Sequence, residues 1–265
     1  MLRTLCLVVV ILGGGGGARA FLLTEYLVGG WKTNVGEFPH MAALGRTQRI
    51  GGNDSGIEWF CGGTLISDRF VLTAAHCANS QMSDPPTLVR LGEYDLSTED
   101  DSDHRDVAVA TSRDRAPSAF SRFIRPACLW QLETLPVEAN GLLTAIGWGQ
   151  LGQYGDQPSE LHKVDLPVVP NEACNRLMST PRSRRLKYGV LPSQICAGDL
   201  AGGKDTCEGD SGGPLFLKSS DPNCNYDVVG ITSIGGICGT ARKPGVYTRV
   251  SYYMNWIESI VWRKQ

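Results

Sequence analysis

Short β-rich runs recur along this chain, and their spacing limits most strongly what it can fold into. "FCGGTLIS", "RFVLTAA", "TLVRLGEY", "DVAVAT", "LLTAIGWG", "HKVDLPVV", "YDVVGITSI" and "GVYTRV" are each a few residues long and separated by turn residues. β-branched and aromatic residues in such runs suit pleated strands. There is no alternation of strand and helix of the kind a parallel sheet needs, so an all-β sandwich or barrel is expected. Helical spacing emerges once, in "YYMNWIESIVWRKQ", where Trp256, Ile257, Ile260 and Val261 share a face. Arg263 and Lys264 suit the C-terminal end of such a helix.

The chain has 265 residues, 42% of them hydrophobic, enough for one large domain or two fused sub-domains. A net charge of −2 gives no reason to expect nucleic acid. The N-terminus reads as a secretory signal over 1–20. Arg3 supplies positive charge, Leu5–Leu12 is an apolar core, and Ala18–Ala20 ends in small residues. Eight apolar residues followed by five glycines are too few to span a bilayer, and nothing later is long and apolar enough. A secreted protein without a membrane anchor is therefore expected.

Removal of that signal takes Cys6 with it and leaves eight cysteines, 61, 77, 128, 174, 196, 207, 224 and 238. An even number in an oxidising compartment implies disulfides. Zinc is the rival, but no CxxC or His-rich pair has ligand spacing, so no metal is expected from them. Asn53 begins the one acceptable glycosylation sequon, "NDS".

Two strings carry chemistry, "TAAHC" (Thr73–Cys77) and "GDSGGP" (Gly209–Pro214). A serine flanked by glycines can sit on a tight turn with its hydroxyl exposed and backbone N–H groups free to bind an oxyanion. A histidine at the end of a β-run, tied by a neighbouring cysteine, can serve as its general base. Either string alone is weak. A Gly-Ser-Gly-Gly run is usually a flexible turn and a lone histidine usually structural. Together they are far more specific.

With these strings the sequence resembles the chymotrypsin-fold, trypsin-like serine proteases from "LVGG" at Leu27 to the terminal helix. "GEFPHMAALG", "VRLGEYDL", "FIRPACLW" and "GITSIGG" look most like the catalytic domains of arthropod clip-type (snake-like) proteases. The resemblance implies two six-stranded antiparallel Greek-key barrels with the active site between them. On that pattern 21–26 is a short pro-segment, about 27–130 the first barrel, about 131–250 the second and about 251–263 the C-terminal helix. It implies a secreted endopeptidase, without a required cofactor, that cuts protein substrates after Arg or Lys in an extracellular cascade. Protease inhibitors are the other implied partners, and a monomer the implied state.

Residue by residue, the resemblance makes His76 the base and Ser211 the nucleophile, with the N–H groups of Gly209 and Ser211 as the oxyanion hole. Asp210 would receive the α-amino group of Leu27 after activation, which Gly29 and Gly30 allow to insert. Asp205 would lie at the base of the specificity pocket, kept open by Gly235 and Gly245, with Ser233 and Ile234 on the substrate-pairing strand. A buried carboxylate under an open slot selects a long cation. The family pattern pairs Cys61 with Cys77, Cys174 with Cys196 and Cys207 with Cys238. Cys128 normally bonds to a light-chain cysteine, but Phe21–Tyr26 contains none, so by elimination its expected partner is Cys224.

The third triad member is less simple. Asp106 opens "DVAV", a loose form of the family's aspartate motif, but lies only 106 − 76 = 30 residues after His76, where the family template has about 45. In the competing register, "VRLGEYDLSTEDDSDHRDVAVA" is the acidic loop and strand that precede the triad aspartate. "RDRAPSAFSRFIRPACLW" is then the segment after it, and a block of about twenty residues is missing near Ser112–Arg113. That reading is preferred; it would truncate the first barrel and expose a strand edge. It also makes a catalytically silent, regulatory homologue the alternative function. A carbohydrate- or ligand-binding β-domain finds no positive feature.

Three smaller features complete the reading. Tyr26 stands before Leu27, where trypsin-like activators require Arg or Lys. Glu93, Asp100 and Asp103 fall where calcium-binding relatives place acidic ligands, with a solvated acidic loop as the alternative. The basic "PRSRRLKYG" (Pro181–Gly189) reads as an exposed loop, with an exosite or nicking site as the alternative.

Overall fold

The structure is a computed structural model that describes residues 7–9, 28–50, 53–78, 84–98, 104–109, 120–135, 141–152, 155–178 and 186–262. Strands dominate it. The first sheet contains β1 (Leu7–Val9), β3 (Met41–Ile50), β4 (Asn53–Leu65), β5 (Val71–Thr73), β6 (Leu88–Leu91) and β7 (Arg105–Ala108), all antiparallel in the order β1-β5-β4-β3-β6-β7. The pairing of β3 with β4 bulges at Leu44/Gly45 and at Thr47/Arg49. Such bulges bend a long strand pair and increase its twist.

The second sheet closes. β9 (Leu142–Gly147), β10 (His162–Val169), β11 (Gln194–Ala197), β14 (Gly245–Arg249), β13 (Tyr226–Ile234) and β12 (Pro214–Lys218) form a ring in that order, with β12 pairing back onto β9. This is the six-stranded barrel expected of the second half. Its interior is built from one face of each strand, Leu143, Ala145, Val164, Leu166, Ile195, Ala197, Leu215, Val229 and Tyr247, all buried. Their alternation in sequence is the period-2 pattern of strands with one core face.

Two short strands cross the expected boundary at residue 130. β2 (Trp31–Lys32) adds to the outer edge of β10, and β8 (Cys128–Leu129) pairs parallel with β13. A second apolar cluster spans both sheets, joining Phe38, Met41, Leu65 and Leu72 to Ile146, Phe216, Val228 and Ile231. The terminal helix docks on the same cluster: a 3₁₀ turn (Ser251–Tyr253) leads into α3 (Met254–Val261), which buries Met254 and Ile257.

Helix α2 (Asn171–Met178) was not expected from the sequence. Its one fully buried residue is Cys174, bonded to Cys196 on β11, with Ala173 and Met178 packed half-buried beside it; two turns are too short a run for helical periodicity to stand out. Among the described residues the first sheet takes five strands from Met41 onward, one fewer than a full six-stranded barrel, and Leu7–Val9, the centre of the expected signal core, pairs as the sixth.

Candidate active site

β5 runs directly into the single-turn helix α1 (Ala75–Ala78), which carries His76 on its exposed face. The Cys61–Cys77 disulfide fastens α1 to β4, and the Thr73 hydroxyl donates to the Gly62 carbonyl at 2.8 Å. A ring nitrogen of His76 lies within 4.8 Å of both sulfurs of that disulfide. This is the one His/Cys/Asp/Glu cluster of ligand-like spacing among the described residues, and the disulfide consumes both of its thiols.

Ser211 comes from the second barrel, on the turn before β12. Gly62 N–H donates to the Ser211 carbonyl at 2.8 Å, and Cys77 Sγ lies 3.4 Å from the same oxygen. The serine turn is therefore pressed onto the α1 region, bringing His76 and Ser211 to one junction. Gly212 makes this approach possible. Its φ is +81°, and a Cβ there would sit 2.1 Å from Thr73 Oγ1 and 2.5 Å from the Gly62 oxygen.

Around the serine the backbone donors divide into two sets. Asp210 N–H donates to Cys207 O, Gly212 N–H to Thr232 O and Gly213 N–H to Asp210 O. The N–H groups of Gly209 and Ser211 enter no hydrogen bond among the described residues. Gly209 has φ +98°, and a Cβ there would meet Gln157 and Gly149. Two unused donors on one tight turn are what an oxyanion requires.

Asp210 is fully buried, and that burial pushes its carboxyl up to about 7. N–H groups of Cys207 (2.8 Å) and Gly149 (2.9 Å) oppose the rise, while the charge of Asp205 adds to it. Gly147 and Gly149 are required here, because a Cβ on either would fall within 2.4 Å of the carboxylate. Sequence reading did not single them out, although "GWG" was the available signal. Leu27 and Tyr26 lie outside the described residues. Val28 is described, and its carbonyl accepts the N–H of Asp205 at 3.2 Å. At Gly29, φ is +73° and a Cβ would strike the Gly203 oxygen at 2.1 Å.

Asp205 is buried as well, and its carboxyl also rises to about 7 through burial, opposed by the N–H groups of Gly239 (3.2 Å) and Thr206 (2.9 Å). The Cys207–Cys238 disulfide ties its loop to that of Gly239. A Cβ at Gly235 would meet nothing within 4 Å, so this glycine faces open space. Gly245 is packed instead, against the Tyr247 ring whose hydroxyl shares a 3.0 Å hydrogen bond with Thr206. Ser233 sits at the bulge between Thr232 and Ile234, out of register with β14.

Asp106 is elsewhere. It lies on β7, at the far end of the sheet order from β5, and accepts both Nε (2.7 Å) and Nη2 (2.6 Å) of Arg90. Arg90 is fully buried on β6, also bonded to Glu93 at 3.1 Å and covered by the Trp59 ring. β7 pairs antiparallel with β6, Asp106 opposite Arg90. Ser112 and Arg113 lie outside the described residues.

Glu93 fits a calcium site poorly. Its buried carboxylate takes Arg90 and the N–H groups of Tyr94 (2.8 Å) and Asp95 (3.2 Å). Asp100, Asp103 and 181–185 of the basic segment are outside the described residues, and of Asn53 only the backbone, in β4, is described. Cys128 bonds to Cys224, with Cα atoms 6.0 Å apart, so a bridge within the domain takes the place of one to a light chain.

A closed β-barrel packed on a second sheet, with a glycine-flanked serine from the barrel and a histidine from the sheet side at their junction, is the arrangement of the chymotrypsin fold. The Trypsin family model matches residues 27–257, and the chain belongs to that family. It is 43% identical to Serine protease snk of Drosophila melanogaster over 90% of this chain and 57% of that protein. Serine protease Hayan of the same species is 38% identical over 91% of this chain and 40% of its own length. Phenoloxidase-activating factor 3 of Holotrichia diomphalia is 36% identical over 89% of this chain and 72% of its own length. The chain thus spans about half the length of the two Drosophila relatives.

Proposed function

We propose that the chain is a secreted serine endopeptidase that hydrolyses peptide bonds after Arg or Lys. The observation that carries this reading is the junction itself, where the Ser211 turn, with two unused N–H donors, packs against the helix bearing His76. His76 takes the Ser211 hydroxyl proton as the oxygen attacks the scissile carbonyl. Gly209 and Ser211 N–H groups hold the developing oxyanion. His76 then passes the proton to the leaving amine, and water, deprotonated in the same way, releases the acyl group from Ser211. The buried Asp205 beneath open space at Gly235 supports a cationic side chain in the pocket. This chemistry requires no cofactor.

The α-amino group of Leu27 is the cation that would compensate Asp210, because a buried carboxylate without a partner is costly. Secretion is supported by the signal-like N-terminus and the four disulfides. No described helix is long and apolar enough to cross a membrane. The proposed substrate is a protein of an extracellular cascade, a reading supported by the name of one relative, phenoloxidase-activating factor 3. Protease inhibitors are the other proposed partners, and the working state a monomer.

The engagement of Asp106 with Arg90 supports a second reading, a feeble or silent homologue that regulates an active protease. Arginine-ester hydrolysis by chain freed at Leu27, beside Ser211→Ala, separates the two. Turnover lost in Ser211→Ala supports the enzyme. Equal rates from both, with no fluorophosphonate label on Ser211, support the silent homologue.

A further inference from the structure

Among the described residues, one end of the first sheet carries no strand from the body of the domain. The outer neighbour of β5 is β1, and among the described residues from Val28 onward no strand pairs on that side. β1 adds antiparallel and in register, Leu7 opposite Thr73, Val8 opposite Leu72 and Val9 opposite Val71. With it in place the acceptor is dry: Val71 and Leu72 are 1% exposed and Thr73 0%. Without it, the outward backbone groups of β5 and the apolar surface around them would face water. Such an edge is a template for another strand.

We propose that the β5 edge is a strand-acceptor surface that takes, antiparallel, an extended, uncharged, apolar segment of another polypeptide. Leu7–Val9 shows the chemistry that fits, "LVV", with no polar or charged residue. Those residues belong to the stretch read as a signal, whose cleavage would bare the edge in the processed chain. A second copy pairing β5 with β5 would join only three residues from each chain, far short of the roughly 1,000 Å² a stable interface needs. A slender donated segment has no such requirement, because main-chain bonds supply its affinity and alternate side chains its selectivity. The edge also adjoins the site: β5 leads into the helix of His76, and Thr73 is the residue that a Cβ at Gly212 would strike.

The test uses the full chain and a fluorescein-labelled peptide of sequence Leu5–Leu12, with serine for Cys6 and a lysine tail for solubility. In the wild type the tethered segment competes at high effective concentration, so the peptide binds weakly. In Val8→Pro the tethered strand cannot pair, and anisotropy is expected to show about tenfold tighter binding. Slowed amide exchange at Val71–Thr73 should accompany it. A peptide N-methylated at alternate residues, unable to add to an edge, should bind neither chain. Equal binding of methylated and unmethylated peptides would overturn the proposal. So would dimerisation of Val8→Pro without peptide uptake. Binding is read without hydrolysis, so its failure leaves the proteolytic reading untouched.

Discussion

At the residue scale, the two buried aspartates near the serine behave differently from Asp106, and each difference can be measured. Burial holds Asp205 near 7, so below that pH the pocket offers a neutral acid, and above it an anion. A cationic pocket ligand such as benzamidine should therefore bind more tightly as pH rises. Its affinity should fall roughly tenfold for each pH unit below about 7, and Asp205→Asn should flatten the profile in fluorescence titration. Asp106 serves Arg90, whose guanidinium is wholly buried. Asp106→Ala should lower stability by on the order of 3 kcal/mol in urea unfolding, because a buried cation loses half its compensation. Fluorophosphonate labelling of Ser211 in the folded variant should be unchanged. A 10⁴-fold loss, as for the family's triad aspartate, would show instead that Asp106 acts on His76. His76 and Ser211 were legible because short strings surround them. The burial of Arg90 was not, because the strand "LVRL" shows only an arginine among apolar residues; its partners, Glu93 and Asp106, arrive from the following turn and the next strand.

At the element scale, the site depends on how closely two turns approach. Gly212 is held at φ +81° with Thr73 and the Gly62 carbonyl where its Cβ would be. Gly212→Ala would have to move the serine turn away from β5 or distort it. Displacements near 1 Å cost about 100-fold in rate, so Ser211 labelling should slow by about that factor while far-ultraviolet circular dichroism stays unchanged. Unaltered labelling would mean that the junction tolerates the shift. "GDSGG" showed that a tight turn was needed, but not that its middle glycine leans on the other barrel. The strands themselves were legible from alternation. What alternation could not supply was partner choice. "LVV" at Leu7–Val9 is apolar enough for a signal core and equally suited to an edge strand, and only the bare side of β5 decides between pairing and none.

At the scale of the whole molecule, an aromatic box joins the two halves. Phe38 and His40, just before β3, meet Phe216 of β12 and Tyr226 of β13 with ring centroids 5.1 to 5.5 Å apart. His40 is fully buried, and burial alone lowers its pKa from 6.5 to about 3. The unfolded chain therefore takes up this proton at a higher pH than the folded one. The stabilisation is complete above 6.5 and is lost progressively as pH falls from 6.5 toward 3. Between pH 6.5 and 5 the loss should be about 2 kcal/mol. Asp205 and Asp210, raised to about 7, act in the opposite sense, favouring the fold at low pH and losing that contribution as pH rises through 7. The total pH profile therefore mixes both. Comparison with His40→Phe isolates one, since phenylalanine suits the box and binds no proton. The wild type should lose about 2 kcal/mol more than the variant on acidification from pH 6.5 to 5, read by urea unfolding at each pH. Parallel losses would mean that His40 gains its proton equally in both states, and that the box opens to water before the barrels part.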